Sequence, residues 1–152
     1  MYKRPIVPQS FKVPEKFVTS EFILRSLTIN ALIKDYDAVM SNVEHLSGLM
    51  SDTDLWPKDL TLEENLVDLG WHQREFTLKH SFAYTVLLPN ETRCLGCCYI
   101  YPTLLDRYDV EAYYWARQDK LGDEVKLRLG YVFREWLKQV WPFKNLVFHP
   151  LN

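Results

Sequence analysis

The sequence predicts an α+β protein in which one mostly antiparallel central sheet carries helices on its faces, in the order β-α-α-β-β-β-α-β. Three observations lead to that expectation. Between Ser81 and Arg117 lie three strand-like runs joined by short connections, the pattern of an antiparallel meander. Three other segments repeat their apolar residues at helical spacing. The last of these is followed by a short apolar run that reads as one more buried strand.

Length and composition set the frame. The 152 residues fit one domain, expected over residues 17–152 behind an extended arm over residues 1–16. Lys plus Arg number 18 against 20 Asp plus Glu, a net charge of −2, so no global field draws the chain to nucleic acid or to an anionic membrane. The 47% hydrophobic and 25% charged content is that of a soluble globular protein, with a high aromatic share of 14%. No run approaches the ~18 apolar residues of a membrane span, and the start MYKRPIVPQSFKVPEKF lacks a signal-peptide apolar core. A cytoplasmic location is the expectation. Three cysteines, Cys94, Cys97 and Cys98, are odd in number and clustered, which reads as reduced thiols. The Asn90-Glu91-Thr92 sequon then carries no weight.

In the arm, Pro5, Pro8 and Pro14 each fix φ and remove a donor, so it should be extended. Residues 17–27, apolar and β-branched, predict the first strand. Thr28 can cap a helix bearing Ile29, Leu32, Ile33, Tyr36, Val39, Met40 and Val43 on one face and reaching Leu46. Ser51 to Asp59, with Asp52, Asp54 and Pro57, predicts a loop. Thr61-Leu62-Glu63-Glu64 has capping-box spacing and opens a second helix whose apolar residues are Leu62, Leu66, Leu69 and Phe76, ending near Lys79. Gly70 should weaken its middle by ~1 kcal/mol relative to alanine. Ser81–Leu88 and Arg93–Pro102 predict a hairpin, and Asp109–Arg117 the next strand. Val125, Leu129, Val132, Phe133, Trp136, Leu137 and Val140 define the clearest helix, stopped by Pro142. Lys144–His149 closes the order as a strand.

Chemistry-bearing residues are few. On a regular strand residues three apart face opposite ways, so Cys94 and Cys97 should not chelate one ion, and small apolar packing is the simpler role. His45, His72, His80 and His149 are scattered, with no HxxxH pair, and no metal site is expected. No G-x-S-x-G surrounds a serine. His149 can face a cleft. What remains is Glu111, Tyr113, Tyr114, Trp115, Ala116, Arg117, Lys120 and Gly122, a strand and turn leading into a helix start, where free backbone N–H groups and the helix dipole favour an anion. Asp123 is the expected N-cap of that helix.

The words FILRSLTINAL, CLGCCYIYP and EAYYWARQ with LGYVFREWL, in this order of elements, resemble the GNAT superfamily of acyl-CoA-dependent N-acetyltransferases over residues 17–148. The resemblance implies an acyltransferase that moves an acetyl group from acetyl-CoA to an amine acceptor. It implies Glu111 as catalytic base, and Tyr114, Trp115, Ala116, Arg117, Lys120 and Gly122 as the cofactor-binding stretch. Where the family's phosphate turn usually reads Q/R-x-x-G-x-G/A, this chain runs from Arg117 to Glu124 with one glycine. The family's fourth helix and last two strands, with the tyrosine that protonates the leaving thiolate, are expected to be absent, leaving Tyr101 and Tyr113 as stand-ins. A catalytically inactive, CoA-binding or dimerising module is the alternative, with homodimerisation through the exposed last strand.

Overall fold

The computed structural model describes residues 3–48, 53, 55–121 and 124–150. Among these residues six strands form one sheet in chain order, β1 (Lys16–Val18), β2 (Ile23–Ser26), β3 (Phe82–Leu87), β4 (Cys94–Pro102), β5 (Val110–Ala116) and β6 (Leu146–Pro150). Every neighbour pair is antiparallel except β5 and β6, which run parallel. Among the described residues four α-helices accompany the sheet: α1 (Leu32–Met40), α2 (Val43–Leu46), α3 (Leu62–Thr77) and α4 (Val125–Val140). Among the described residues no helix is long and apolar enough to cross a membrane.

The single first strand expected over residues 17–27 is a hairpin. Thr19 makes the turn, its hydroxyl accepting from the N–H groups of Glu21 and Phe22 at 3.2 and 3.0 Å and donating to the Phe22 carbonyl at 2.9 Å. A threonine that binds its own backbone in this way competes with the strand ladder. The expected first helix is also divided. Thr28 accepts from the Asn30 N–H, but the start is a 3₁₀ turn, Ile29–Ala31, before α1. The break between α1 and α2 falls at Ser41 and Asn42, whose side chains bond the carbonyls of Asp37 and Ala38 at 2.6 and 3.0 Å. The helix face also differs from expectation. Ile29 and Ile33 are exposed, and the buried set is Asp35, Ala38, Val39, Asn42 and Leu46.

In the loop expected over 51–59, Ser51, Asp52 and Asp54 lie outside the described residues. The capping box that opens α3 forms as expected. Thr61 Oγ1 accepts from the Glu64 N–H at 3.1 Å and Glu64 Oε1 from the Thr61 N–H at 3.0 Å. Leu62 and Leu66 are nevertheless exposed, and the helix turns Asn65 and Leu69 inward. His72 and Phe76 continue that face, their rings 5.8 Å from Tyr99 and 5.2 Å from Phe82.

Side chains alternate across the sheet. Val110, Ala112, Tyr114 and Ala116 join the core under α4, with Leu129, Phe133, Trp136 and Leu137. Cys97, Tyr99 and Trp115 face the other way, into the core with Ala38, Val39, Leu46 and Leu69. At Gly130 α4 passes so close to β5 that an added Cβ would lie 2.4 Å from the Tyr114 hydroxyl. Ahead of β1 the described chain bends at residues 6–7, turns at residues 9–10, where the Phe11 N–H bonds the Pro8 carbonyl, and packs on the core. Val7 is buried, Ile6 donates its N–H to the Lys79 carbonyl, and Tyr84 donates to the Pro14 carbonyl at 2.6 Å.

A bulge in β4 overturns the premise that Cys94 and Cys97 face apart. Gly96 pairs with Val86, but Cys94, not Leu95, pairs with Leu87. The extra residue resets the alternation. Cys94 and Cys97 therefore share one face, while Leu95 and Cys98 share the other.

Candidate active site

Glu111 stands near the start of β5, its side chain 19% exposed. His149 of β6 places Nε2 3.0 Å from Glu111 Oε1, and the Tyr113 hydroxyl donates to the same oxygen at 3.2 Å. Burial pushes the Glu111 carboxyl up, but hydrogen bonds involving Thr103, His149 and Tyr113 outweigh it and hold the group below the usual carboxylate range. Glu111 is thus ionised at neutral pH. Tyr113 stacks on the His149 ring at 4.5 Å. Burial and the neighbouring Glu111 charge push its hydroxyl up to about 12, so it keeps its proton. Sequence reasoning named Glu111 and noted His149 separately. Only the parallel pairing of β5 with β6, with Tyr113 opposite His149, brings them together.

The described β5–β6 ladder runs to Tyr114 opposite Pro150, and β5 continues through Trp115 and Ala116. The Arg117 N–H bonds the Leu95 carbonyl at 2.8 Å. By strand alternation the Ala116 N–H points away from β4, toward the side of β6. The side chains of Tyr114, Trp115 and Ala116 are all buried, so a ligand at this edge would meet their backbone.

Beyond β5 the chain is tied to the helices. The Arg117 guanidinium is 4% exposed, held by Asp119 at 2.6 Å, Asp37 at 3.4 Å and the Cys94 carbonyl at 3.0 Å. The Gln118 N–H donates to the Asn42 side chain at 2.7 Å and the Leu121 N–H to Asp119 at 3.0 Å. Lys120 is exposed. Gly122, and Asp123 with its expected cap, lie outside the described residues. The residue before α4 is Glu124, in the left-handed region at φ 70°, and it makes no side-chain capping bond.

On the same face of the sheet, where Tyr99 and Tyr101 of β4 stand beside Tyr113 and Glu111 of β5, lies a cavity of about 280 Å³ between α1, α3 and the sheet. Asp35 sits at its base, accepting from Asn65 Nδ2 at 2.9 Å and from the Cys97 thiol at 3.6 Å. Asp35, Cys94 and Cys97 present donor atoms within 4.8 Å of one another. A hydrogen bond with Cys94, then burial, holds the Cys97 thiol well above its ordinary value, so Cys97 keeps its proton. A metal would require the thiolates.

No family model matches the sequence, and no curated protein is recognisably similar to it in sequence. Solved structures are similar in fold. The ribosomal-protein-S5-alanine acetyltransferase from Vibrio fischeri superposes with a TM-score of 0.59 at 14% identity, over 81% of this chain and 67% of its own. The fold is that of the GNAT acetyltransferases. The ribosomal L7/L12 α-N-protein acetyltransferase RimL gives 0.58 at 17% identity over 88% of this chain and 70% of its own. The microcin C7 self-immunity acetyltransferase MccE, solved with acetyl-CoA and AMP, gives 0.55 at 14% identity over 84% and 70%. RimL has also been solved with coenzyme A. Within this GNAT fold, β5, β6 and the start of α4 correspond to the fourth strand, fifth strand and third helix of the order read from the sequence.

Proposed function

We propose that this protein is an N-acyltransferase that moves an acetyl group from acetyl-CoA to an amine. The observation that carries the reading is the edge of β5 beyond Tyr114, next to an ionised Glu111 bonded to His149. Three features of the chain fit the cofactor. The Ala116 N–H faces the side of β6, Glu124 before α4 makes no side-chain capping bond, and Lys120 is exposed between them. Acetyl-CoA supplies an activated thioester carbonyl. The β5 edge at Tyr114, Trp115 and Ala116 would take the pantetheine arm through backbone groups, as an added strand does. Lys120, Gly122 and the first amides of α4 would take the pyrophosphate. The Ala116 N–H is the amide suited to stabilise the carbonyl oxygen as it gains charge.

The Glu111–His149 pair supplies the base. A proton on His149 Nε2 is held by Glu111, which leaves Nδ1 as the ring nitrogen able to accept one. The amine nitrogen bonds to the acetyl carbon, the C–S bond breaks, the amine proton passes to His149, and the thiolate takes a proton from solvent or Tyr113. Catalysis rests mainly on positioning. Thiol release from acetyl-CoA with a panel of amines tests this. Glu111→Gln should lower kcat by about 10²–10⁴-fold with the KM for acetyl-CoA little changed, and an unchanged kcat would remove Glu111 from the mechanism.

A second reading is a CoA-binding module without turnover, favoured by Arg117, whose guanidinium is engaged by Asp37 and Asp119 rather than free for a phosphate. Acetyl-CoA binding without thiol release across the panel would select it. In either reading β6 is an edge of the sheet as described, and homodimerisation there is part of the proposal. A monomer in sedimentation at working concentrations would overturn that part.

A further inference from the structure

The cavity between α1, α3 and β4 has a chemistry that the proposed reaction does not by itself require. Among the described residues its lining has two carboxyl groups, Asp35 at the base, its pKa pushed up by burial, and Asp68 toward solvent, and no Lys or Arg. Aromatic rings from Trp56, Trp71 and Tyr101 complete it. Carboxylates among aromatic faces suit an ammonium group, which gains both ion pairing and attraction to the rings. Trp71 already takes one such contact, with Lys3 Nζ 5.2 Å from its ring centroid. His72 also lines the cavity, its Nδ1 buried with no partner among the described residues, and a ligand N–H would supply one. Burial lowers its pKa to about 4, so at neutral pH it adds no opposing positive charge.

The cavity lies on the sheet face that carries the proposed base. Tyr101 lines it, and its ring lies 5.8 Å from that of Tyr113, which donates to Glu111. A volume of about 280 Å³ sits at the lower end for small-molecule pockets and is too confined for a folded partner.

We propose that this cavity is the acceptor pocket and that the acceptor is a small aliphatic diamine or polyamine, with one ammonium among Asp35, Asp68 and the aromatic rings and another amine presented to Glu111 and His149. The assignment of the second amine rests on the acyl-transfer reading above, whereas the cation site stands on the cavity itself. The transfer joins the free amine to the acetyl carbon, breaks the thioester C–S bond, passes the amine proton to His149 while the thiolate takes one from solvent, and leaves the held ammonium unchanged.

The test is calorimetric titration of the full chain with putrescine and with butylamine, alongside thiol release from acetyl-CoA with each. Putrescine should bind about tenfold or more tightly than butylamine, since only it can place a charge in the cavity while presenting a second amine. Asp68→Asn and Trp71→Ala, both at exposed positions on α3, should each weaken putrescine by about tenfold and leave acetyl-CoA binding unchanged. Equal binding of the two amines, or putrescine binding indifferent to both substitutions, would overturn the inference. Putrescine binding that depends on Asp68 without any thiol release would uphold the cation site and contradict the acyl-transfer reading. Thiol release that is equal for both amines would uphold acyl transfer and contradict the diamine assignment.

Discussion

At the scale of single residues, two partly buried groups have their charge set by surroundings rather than by identity. Glu111 stays ionised because its neighbours donate hydrogen bonds to it, and His72 stays neutral because its environment solvates a cation poorly. The consequence for stability has a definite sign. His72 has a folded pKa of about 4 against an ordinary 6.5, so between those values the unfolded chain binds more protons than the folded one. Stability is therefore present in full above pH 6.5 and is lost as pH falls toward 4. Glu111 and Glu75, both held below the ordinary 4.5, contribute a further loss that begins near that pH and continues below it. Urea denaturation of the wild type between pH 7 and 4.5 should show a decline of roughly 1–3 kcal/mol. His72→Gln should flatten that decline while leaving the step below pH 4.5. A slope unchanged by the substitution would mean that His72 is protonated in the folded protein.

At the scale of elements, two glycines are expected to behave in opposite ways. Gly96 follows the bulge in β4, where an added Cβ would lie 2.0 Å from the Trp115 carbonyl oxygen, a backbone atom fixed by the ladder. Gly96→Ala must displace the β4–β5 pairing and should cost roughly 2 kcal/mol or more. Gly70 is in the middle of α3, and its nearest neighbour to an added Cβ is Ile29 Cγ2 at 3.9 Å, an ordinary contact. Gly70→Ala should stabilise by roughly 0.5–1 kcal/mol through helix propensity. Thermal or urea unfolding of the two variants checks both signs, and a neutral Gly96→Ala would show that the bulge yields. The order of helices and strands, the α3 capping box, the meander and the apolar face of α4 were legible because each rests on local chemistry. The bulge, the Thr19 turn and the break at Asn42 were not. Each depends on one side chain or one extra residue whose conformation is chosen by tertiary contacts, such as that between Asn42 and Gln118.

At the scale of the whole molecule, the same division separates the two halves of the candidate site. Glu111 could be named from its place in the sequence, but its partner His149 lies 38 residues away and meets it only through the parallel β5–β6 register. Asp35 was unremarkable among Lys34, Tyr36 and Asp37, since a polar residue gives no sequence sign that it will be buried among Asn65, Cys97 and the aromatic lining. The arm carried too few apolar residues in any period to reveal that Ile6, Val7, Phe11 and Val13 cover the core. In the proposed function the edge of β5 and the start of α4 hold acetyl-CoA. Amide hydrogen exchange of the full chain with and without acetyl-CoA tests it directly. The expected result is slowed exchange at the amide of Ala116 and in the first turn of α4 from Val125 to Arg128, with β1 and β2 unaffected. Exchange at those amides unchanged at saturating acetyl-CoA, or protection confined to other elements, would contradict it.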